Sequence, residues 1–580
     1  MAIAITPAAL VYTPHPPCAV VRASGVVNPE ACLRDDVTTL PPGASLVLDF
    51  GEELVGVLSL TATADAAARL ELIYGEDLEE ALMTEDPFPA DHWYHQPRDI
   101  LNLNAGAQII RHPGRRAFRY ANVINHGPGL LQLRSAQMML EHAPVTDRGW
   151  FKCSDALLND AWAISRRTTR LCMQGFYEDG IKRDSMLWIG DYRVEFLCAH
   201  PLFADSAVAR RSLEMFAQCR HANGSLSAVA LHAGGHMWPR IPWPPNLDQP
   251  GGLHDWVLDN YCADFVSGLW EYVLYTGDTS LATKLASALR GVLDFLASVD
   301  LTQTTPGRTF ITDNQPDDKD WWGSRPALAY QLAAAFTDAA KLAAQLDDPA
   351  LATRCRELAA ARIREAVDKF GDPTRAATRD DFASPEKLAP TRSWHAHTAA
   401  FLAGALTPEE LRAIYPALQS DASVRRPMAG FMEFYHLQAW FGAGLVREAL
   451  DEMRSYYGQM LRNGATTTWE LVDRREPGID HIQPAGRSHC HGWSAGPANL
   501  LPAHILGVTP TAPGYRTVGI RPALGDLAWA EGEIPTPHGN IRVSLKAPLT
   551  GEITLPAGIT GTLHLPGRAP RSLFAGKNDL

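Results

Sequence analysis

Nothing in this chain is long and apolar enough to suggest a bilayer span, because no run of about 18 apolar residues occurs in it. Cationic surface is also scarce. Lys and Arg number 52 against 65 Asp and Glu, a net charge of -13, so no basic stripe is present to neutralise nucleic-acid phosphates. Cofactor signatures are missing as well. No G-x-G-x-x-G follows a strand, there is no P-loop and no G-x-S-x-G elbow, so no cofactor is expected and the chemistry falls to side chains and water. The nine cysteines are scattered singly, without metal-ligand spacing. Reduced, buried thiols and no bound metal are therefore expected, in a cytoplasmic protein. The opening MAIAITPAALVYTP has neither a basic n-region nor an apolar h-region, so no secretory leader is expected.

What the chain does have is 580 residues, 46% hydrophobic and 20% charged, enough for two or three domains. The first 147 residues read as strands. LVLDF (46–50), VGVLSL (55–60) and LELIY (70–74) are short, aliphatic and separated by Gly-containing turns. Residues 148–507 read as helices, in twelve segments near 154–174, 189–203, 205–221, 255–276, 279–299, 324–346, 348–370, 393–404, 407–416, 429–442, 444–463 and 492–506. Leu328, Leu332, Phe336, Ala339 and Leu342 follow the spacing of one buried helix face. Thr407-Pro408-Glu409-Glu410 is a capping box with Pro at the first helical position, and Asp348-Pro349 is a similar start. Twelve helices in pairs, without a fixed sequence period, predict six hairpins closed into an (α/α)6 toroid. Residues 508–580 return to alternating strands such as Ile541, Val543 and Leu545. The expected fold is mainly α, an (α/α)6 six-hairpin toroid flanked by N-terminal and C-terminal antiparallel β-sandwich domains.

Tryptophan is abundant, at 15 residues, and several stand in loops beside Pro, Gly or Asp, as at Trp243 and Trp321. Such residues offer flat platforms for the C–H face of a sugar, although ordinary packing would also account for them. Two polar clusters stand out. YEDGIKRDSMLWIGDYRVE (177–195) gathers Asp179, Arg183, Asp184, Trp188 and Asp191, and would equally serve as a solvated loop that caps helices. GATTTWELVDRREPGIDHIQPAGRSHCHGWSAGP (464–497) places Glu470 behind Trp469 at the end of a long helix, where the apolar neighbour could control its protonation. His489 and His491 follow, and H-x-H without a third ligand is weak evidence for metal. Two carboxyl groups, one protonated and one ionised, are what glycoside hydrolysis requires.

These elements resemble glycoside hydrolase family 78, the α-L-rhamnosidases, over nearly all of the chain. The run Asp179 to Asp191 is similar to the family's D-C-P-x-R-(D)-E-R-x-G-W-x-G-D loop, with Asp179, Arg183, Trp188 and Asp191 on matching positions. Asp184 occupies the position of the general-acid Glu, and Gly180-Ile181 replaces Cys-Pro. GATTTWE is similar to the family's G-A-T-T-x-W-E, which implies a general base at Glu470 and a sugar-binding role for His491. FMEFYHLQAWFGAG (431–444), GRRAFRYANV (114–123) and GDLAWAEGEIPTPHGNIRV (525–543) extend the resemblance. It implies an inverting hydrolase of terminal α-L-rhamnose with Asp184 as acid and Asp179 as the alternate candidate. Asp179, Asp191 and His491 would hold sugar hydroxyls in a binding site where Arg183 holds the carboxylates' geometry, and Trp188, Trp243 and Trp321 would wall the C6 methyl. The short chain suggests small soluble rhamnosides as partners, and an exposed sandwich face could support a homodimer. A different (α/α)6 glycosidase, a uronate lyase or a silent carbohydrate-binding protein are the alternatives.

Overall fold

The computed structural model describes residues 6–88, 95–111, 114–230, 256–301, 324–374, 392–422, 424–472 and 487–580. Trp243 and Trp321 lie outside the described residues, and so does the expected apolar wall they would form.

The N-terminal strands make one continuous nine-stranded antiparallel sheet around their own core. LVLDF and VGVLSL, expected as two strands broken at a glycine turn, are one strand, Ser45–Ala64. The pairing register shifts between Asp49 and Leu54, so the strand bends rather than ends, and its second half moves on to new partners. Bending lets a single sheet enclose Phe50, Leu54, Tyr74 and Phe118, each at most 1% exposed. Each such side chain contributes roughly 1.5–3 kcal/mol by leaving water.

Helices follow much as the periodicity predicts. Arg325–Gln345 buries Leu328, Leu332, Phe336, Ala339 and Leu342. Thr407 accepts from the Glu410 backbone while Glu410 returns the bond, so the capping box opens Pro408–Ser420. Asp348 caps Pro349–Phe370 by accepting the Leu351 N–H, without a returning bond. Two segments differ from expectation. The helix expected over 279–299 breaks at Leu285 into Thr279–Lys284 and Ala286–Ser298. The one expected over 492–506 is three short turns, Gly492–Ser494, Pro497–Leu500 and Leu501–Ile505. Pro497 and Pro502 deny that segment two backbone donors, which prevents one regular ladder.

Five of these helices pack in chain order. Ile189–Phe203 lies against Asp259–Thr276, that helix against Arg325–Gln345, then Trp394–Leu402, then Gly430–Ala443. The turn Pro497–Leu500 touches both Gly430–Ala443 and Ile189–Phe203 and so joins the last helix to the first. Among the described residues no helix is long and apolar enough to cross a membrane.

The C-terminal strands form a five-stranded and a four-stranded sheet. The five-stranded sheet takes in Trp150–Cys153, which pairs with Trp529–Thr536 although it precedes the helices. The expectation of a purely antiparallel C-terminal domain is corrected at one pair: Thr517–Ile520 and Thr560–Leu563 run parallel. The chain between them passes through three strands of the other sheet before returning, which leaves the direction of the second strand free.

Candidate active site

The two polar clusters of the sequence meet at the entry to the Ile189–Phe203 helix. A network of backbone bonds holds them together. Asp179 N–H donates to the Met186 carbonyl at 3.1 Å and closes the loop on itself. Gly492 N–H donates to the Asp179 carbonyl at 2.7 Å, and Ile181 N–H to Cys490 at 3.4 Å. Glu470 N–H donates to Ser488 at 3.0 Å and His491 N–H to Thr468 at 2.9 Å. Residues 179–186, 468–470 and 488–492 are thus one hydrogen-bonded platform. Gly180 fits it for a steric reason: a Cβ there would stand 2.5 Å from the Arg183 carbonyl oxygen and 3.2 Å from the His491 ring.

Glu470 does not end a helix as expected, since that helix stops at Arg462. Its carboxylate is buried, and one oxygen accepts from Arg183 at 2.9 Å and from Arg487 at 2.8 Å. The other accepts the Ser488 N–H at 3.0 Å. Burial alone would raise its pKa, but Arg183 and Arg487 outweigh it and hold the carboxylate ionised, well below the usual range. Charge controls this group, therefore, and not the apolar neighbour expected from Trp469, which stacks on His489 at 4.6 Å.

Asp184 is in the opposite condition. Burial raises its pKa, the Glu470 charge adds to the rise, and Arg183, 3.9 Å away, offsets part of it. Its Oδ1 is buried and without a hydrogen-bond partner among the described residues. Asp179 is more deeply committed. One oxygen accepts the Met186 N–H at 2.9 Å, and the other faces the Asp184 N–H at 3.4 Å and His491 Nε2 at 3.7 Å. Burial and the neighbouring Asp184 and Asp191 push its pKa well up. Asp191 rises to about 8, mainly by burial, and accepts from the Tyr261 hydroxyl at 3.4 Å. His491 lies 3.9 Å from Asp191 and leans on Trp493 at 4.3 Å. Burial first, then Arg183 and Arg487, lower its pKa to about 3, so its imidazole is neutral at pH 7. Trp188, half-buried, stands edge-on to Trp256 at 5.5 Å and Tyr261 at 6.4 Å.

Asp179, Arg183, Asp184, Trp188, Asp191, Glu470 and His491 accordingly share one site. Sequence reading missed three groups around them. Arg487 lies in the second cluster, and its charge was not connected with Glu470. Glu195 stands one helical turn beyond Asp191, a spacing that would have put both carboxyls on one face. Both its oxygens are buried without a partner among the described residues, and burial and Asp191 drive its pKa well up. Glu76, from the N-terminal sheet domain, is the third. It meets Lys182 at 2.7 Å, accepts the His489 N–H at 2.7 Å and faces the Ser488 hydroxyl at 3.4 Å. One carboxylate of another domain therefore holds the loop bearing Asp184 and the Ser488–His489 segment supporting Glu470. Arg115 adds a second tie through Glu178.

The chain matches the model of the bacterial alpha-L-rhamnosidase six-hairpin glycosidase domain over residues 146–284 and that of the bacterial alpha-L-rhamnosidase C-terminal domain over 507–578. An alpha-L-rhamnosidase of Alteromonas sp. (strain LOR) is 36% identical over 113 residues, 18% of this chain and 12% of that protein. The crystal structure of a family 78 rhamnosidase of Bacillus sp. GL1 superposes with a TM-score of 0.77 at 27% identity, covering 92% of this chain and 54% of that one. A rhamnosidase from Klebsiella oxytoca with rhamnose bound gives 0.69 at 24% identity, over 85% and 96%. The chain thus spans about half of the Bacillus protein and a small part of the Alteromonas one.

Proposed function

We propose that this chain, which matches the bacterial α-L-rhamnosidase six-hairpin glycosidase and C-terminal domains and superposes on a family 78 rhamnosidase, hydrolyses terminal α-L-rhamnose from small rhamnosides with inversion. The observation that carries this reading is the opposed state of two neighbouring carboxyl groups, Asp184 held towards the acid and Glu470 held as the anion. Inverting hydrolysis needs that pair, one to protonate the leaving oxygen and one to deprotonate water on the other face of the sugar. Arg183 reaches both, Asp184 at 3.9 Å and Glu470 at 2.9 Å. A single guanidinium between them limits their separation to about 9 Å, compatible with the ~6.5–9.5 Å that leaves room for the water.

In the reaction, Asp184 gives its proton to the glycosidic oxygen as the C–O bond breaks. Glu470 takes a proton from the water that attacks the anomeric carbon. Asp179 is the less suited acid because backbone N–H groups already face both its oxygens. Asp179, Asp191 and neutral His491 hold ring hydroxyls. Trp188 faces the C6 methyl, a contact worth on the order of 1–3 kcal/mol against a hexose. The five ordered helices and the turn that links the last to the first are read as the inner ring of an (α/α)6 toroid over 148–507, between sheet domains at 1–147 and 508–580. The acid and base segments stand where the chain enters those inner helices.

Release of p-nitrophenol from p-nitrophenyl α-L-rhamnoside tests the reading, with NMR observation of the first anomer formed. Turnover by the wild type, β-L-rhamnose first, and loss of about 10²–10⁴-fold in Asp184→Asn and Glu470→Gln is the expected result. Most activity surviving in either variant would remove that residue from its role, and the α-anomer appearing first would exclude inversion.

A further inference from the structure

The ring of helices encloses a second concavity, away from the acid and base segments. It holds about 200 Å³ and is lined by Arg193, Gln331, Lys341, Thr398, Phe431 and Tyr435, among others. At ~30 Å³ per water that is room for six or seven waters, which one six-membered sugar ring would displace. Its inner end is closed by Ala327 and Phe431, both buried, whereas Thr337 and Lys341 on its wall are exposed. Lys341 lies near the C-terminal end of Arg325–Gln345, and Leu402 and Ala403 end the helix Trp394–Leu402. The mouth is therefore at the helix ends opposite those where Asp184 and Glu470 stand.

Charge in the wall is already matched. Arg193 holds Asp264 at 2.9 Å and Glu271 at 2.8 Å, and Lys341 holds Asp338 at 2.9 Å. An ionic ligand would have to break one of these pairs and leave its partner buried without its counter-charge. Hydroxyl groups face no such penalty. Gln331 donates to Asp264 at 2.9 Å, Thr337 donates to the Ala333 carbonyl at 3.0 Å and Thr398 pairs with His436 at 3.0 Å, so these three offer their remaining oxygen lone pairs to a ligand hydroxyl, beside the amide of Gln438. The Tyr435 side chain is buried with the Arg193 guanidinium 5.4 Å from its ring centroid. The ring of Phe431 supplies the apolar surface that suits the C–H side of a sugar. Apolar walls with a few polar groups are the usual make-up of a small-molecule site.

The geometry points to a second binding site here, for one neutral polyhydroxylated molecule, a free monosaccharide or a polyol of similar size, entering from the face opposite the catalytic residues. Its occupant would rest against Phe431, which also packs on Trp493 at 5.7 Å and Tyr261 at 6.2 Å. Those two rings in turn touch His491 and Asp191.

Met432 lines the cavity and gives a local reporter. The full chain, labelled at its methionine methyls with ¹³C, would be titrated with L-rhamnose, D-glucose, D-mannitol and, as the ionic control, inorganic phosphate. A saturable shift of the Met432 signal with at least one neutral probe and none with phosphate is expected. Ala399→Trp, which fills the cavity from a half-buried position, should weaken it tenfold or more. Should that variant not fold, Gln438→Leu removes a polar group without adding bulk and should weaken it at least threefold. No response to any neutral probe, an undiminished response in the folded variants, or a response to phosphate alone would overturn the proposal. Turnover does not enter this readout, so its failure and the failure of the proposed hydrolysis are separable.

Discussion

Replacing Glu76 with Gln tests how far catalysis depends on the N-terminal sheet domain. The Glu76 side chain is fully buried, and Lys182 opposite it is 4% exposed. Lys182 Nζ and His489 N–H converge on one oxygen of Glu76, so glutamine can turn its carbonyl to both and its NH2 to the Ser488 hydroxyl, and what it removes is the charge that Lys182 pairs with. Removing one member of a buried ion pair costs about 3–5 kcal/mol. Lys182 keeps Glu80 at 3.0 Å, so the lower end, about 3 kcal/mol of stability, is expected. The kinetic effect follows from what Glu76 connects. It holds Lys182, adjacent to the Arg183-Asp184 pair, and also the Ser488–His489 backbone, whose Ser488 N–H bonds Glu470. Relaxing that tie by an ångström should lower kcat by about 10- to 100-fold with KM little changed. Glu80→Gln is the control, because Glu80 also meets Lys182 while its other oxygen accepts the Glu76 N–H within the sheet domain. The assay is kcat and KM on p-nitrophenyl α-L-rhamnoside beside a thermal melt for both variants. Loss of stability in Glu76→Gln with kcat within twofold of wild type would refute the reasoning. An equal kcat loss in Glu80→Gln would do the same.

Two further outcomes are expected. Arg487→Leu removes one of the two cations that keep Glu470 ionised, so protonation of the base should begin at higher pH and the acid limb of kcat/KM should move upward; an unmoved limb would leave Arg183 as the controlling charge. Gly492→Ala would place a Cβ 1.9 Å from Glu195 Oε1, against a backbone fixed to Asp179, and should cost about 1–3 kcal/mol in a denaturant titration, whereas wild-type stability would mean that Glu195 turns away freely.

The local parts of this molecule were readable from the sequence and the distant ones were not. Leu328 to Leu342 announce a helix because its spacing is set within one segment. The Asp179–Asp191 and Glu470–His491 clusters were visible because chemistry-bearing residues stand close in the chain. The unbroken Ser45–Ala64 strand was hidden by Gly51 and Gly56, which read as turns yet sit at a bend and a crowded strand position. Glu76 was invisible for a different reason. Its partner Ser488 is 412 residues away, and an acidic residue before a short helix looks like any solvated cap. Even the state of Glu470 could not be read from its neighbours, since Trp469 adjoins it in sequence while Arg183 decides its charge from 287 positions away.

That distance also has a consequence for how the site comes into being. At ~5–20 residues per second, a ribosome needs about 20–80 s to add the 412 residues that separate Glu76 from Ser488. Throughout that interval the sheet domain carries Glu53, Glu76 and Glu80 without the Ser488–His489 segment in place, and ordinary hydrated carboxylates belong there. They lose their water only when the later chain docks. During synthesis these acids are a solubilising surface; afterwards the same atoms are an interior clamp.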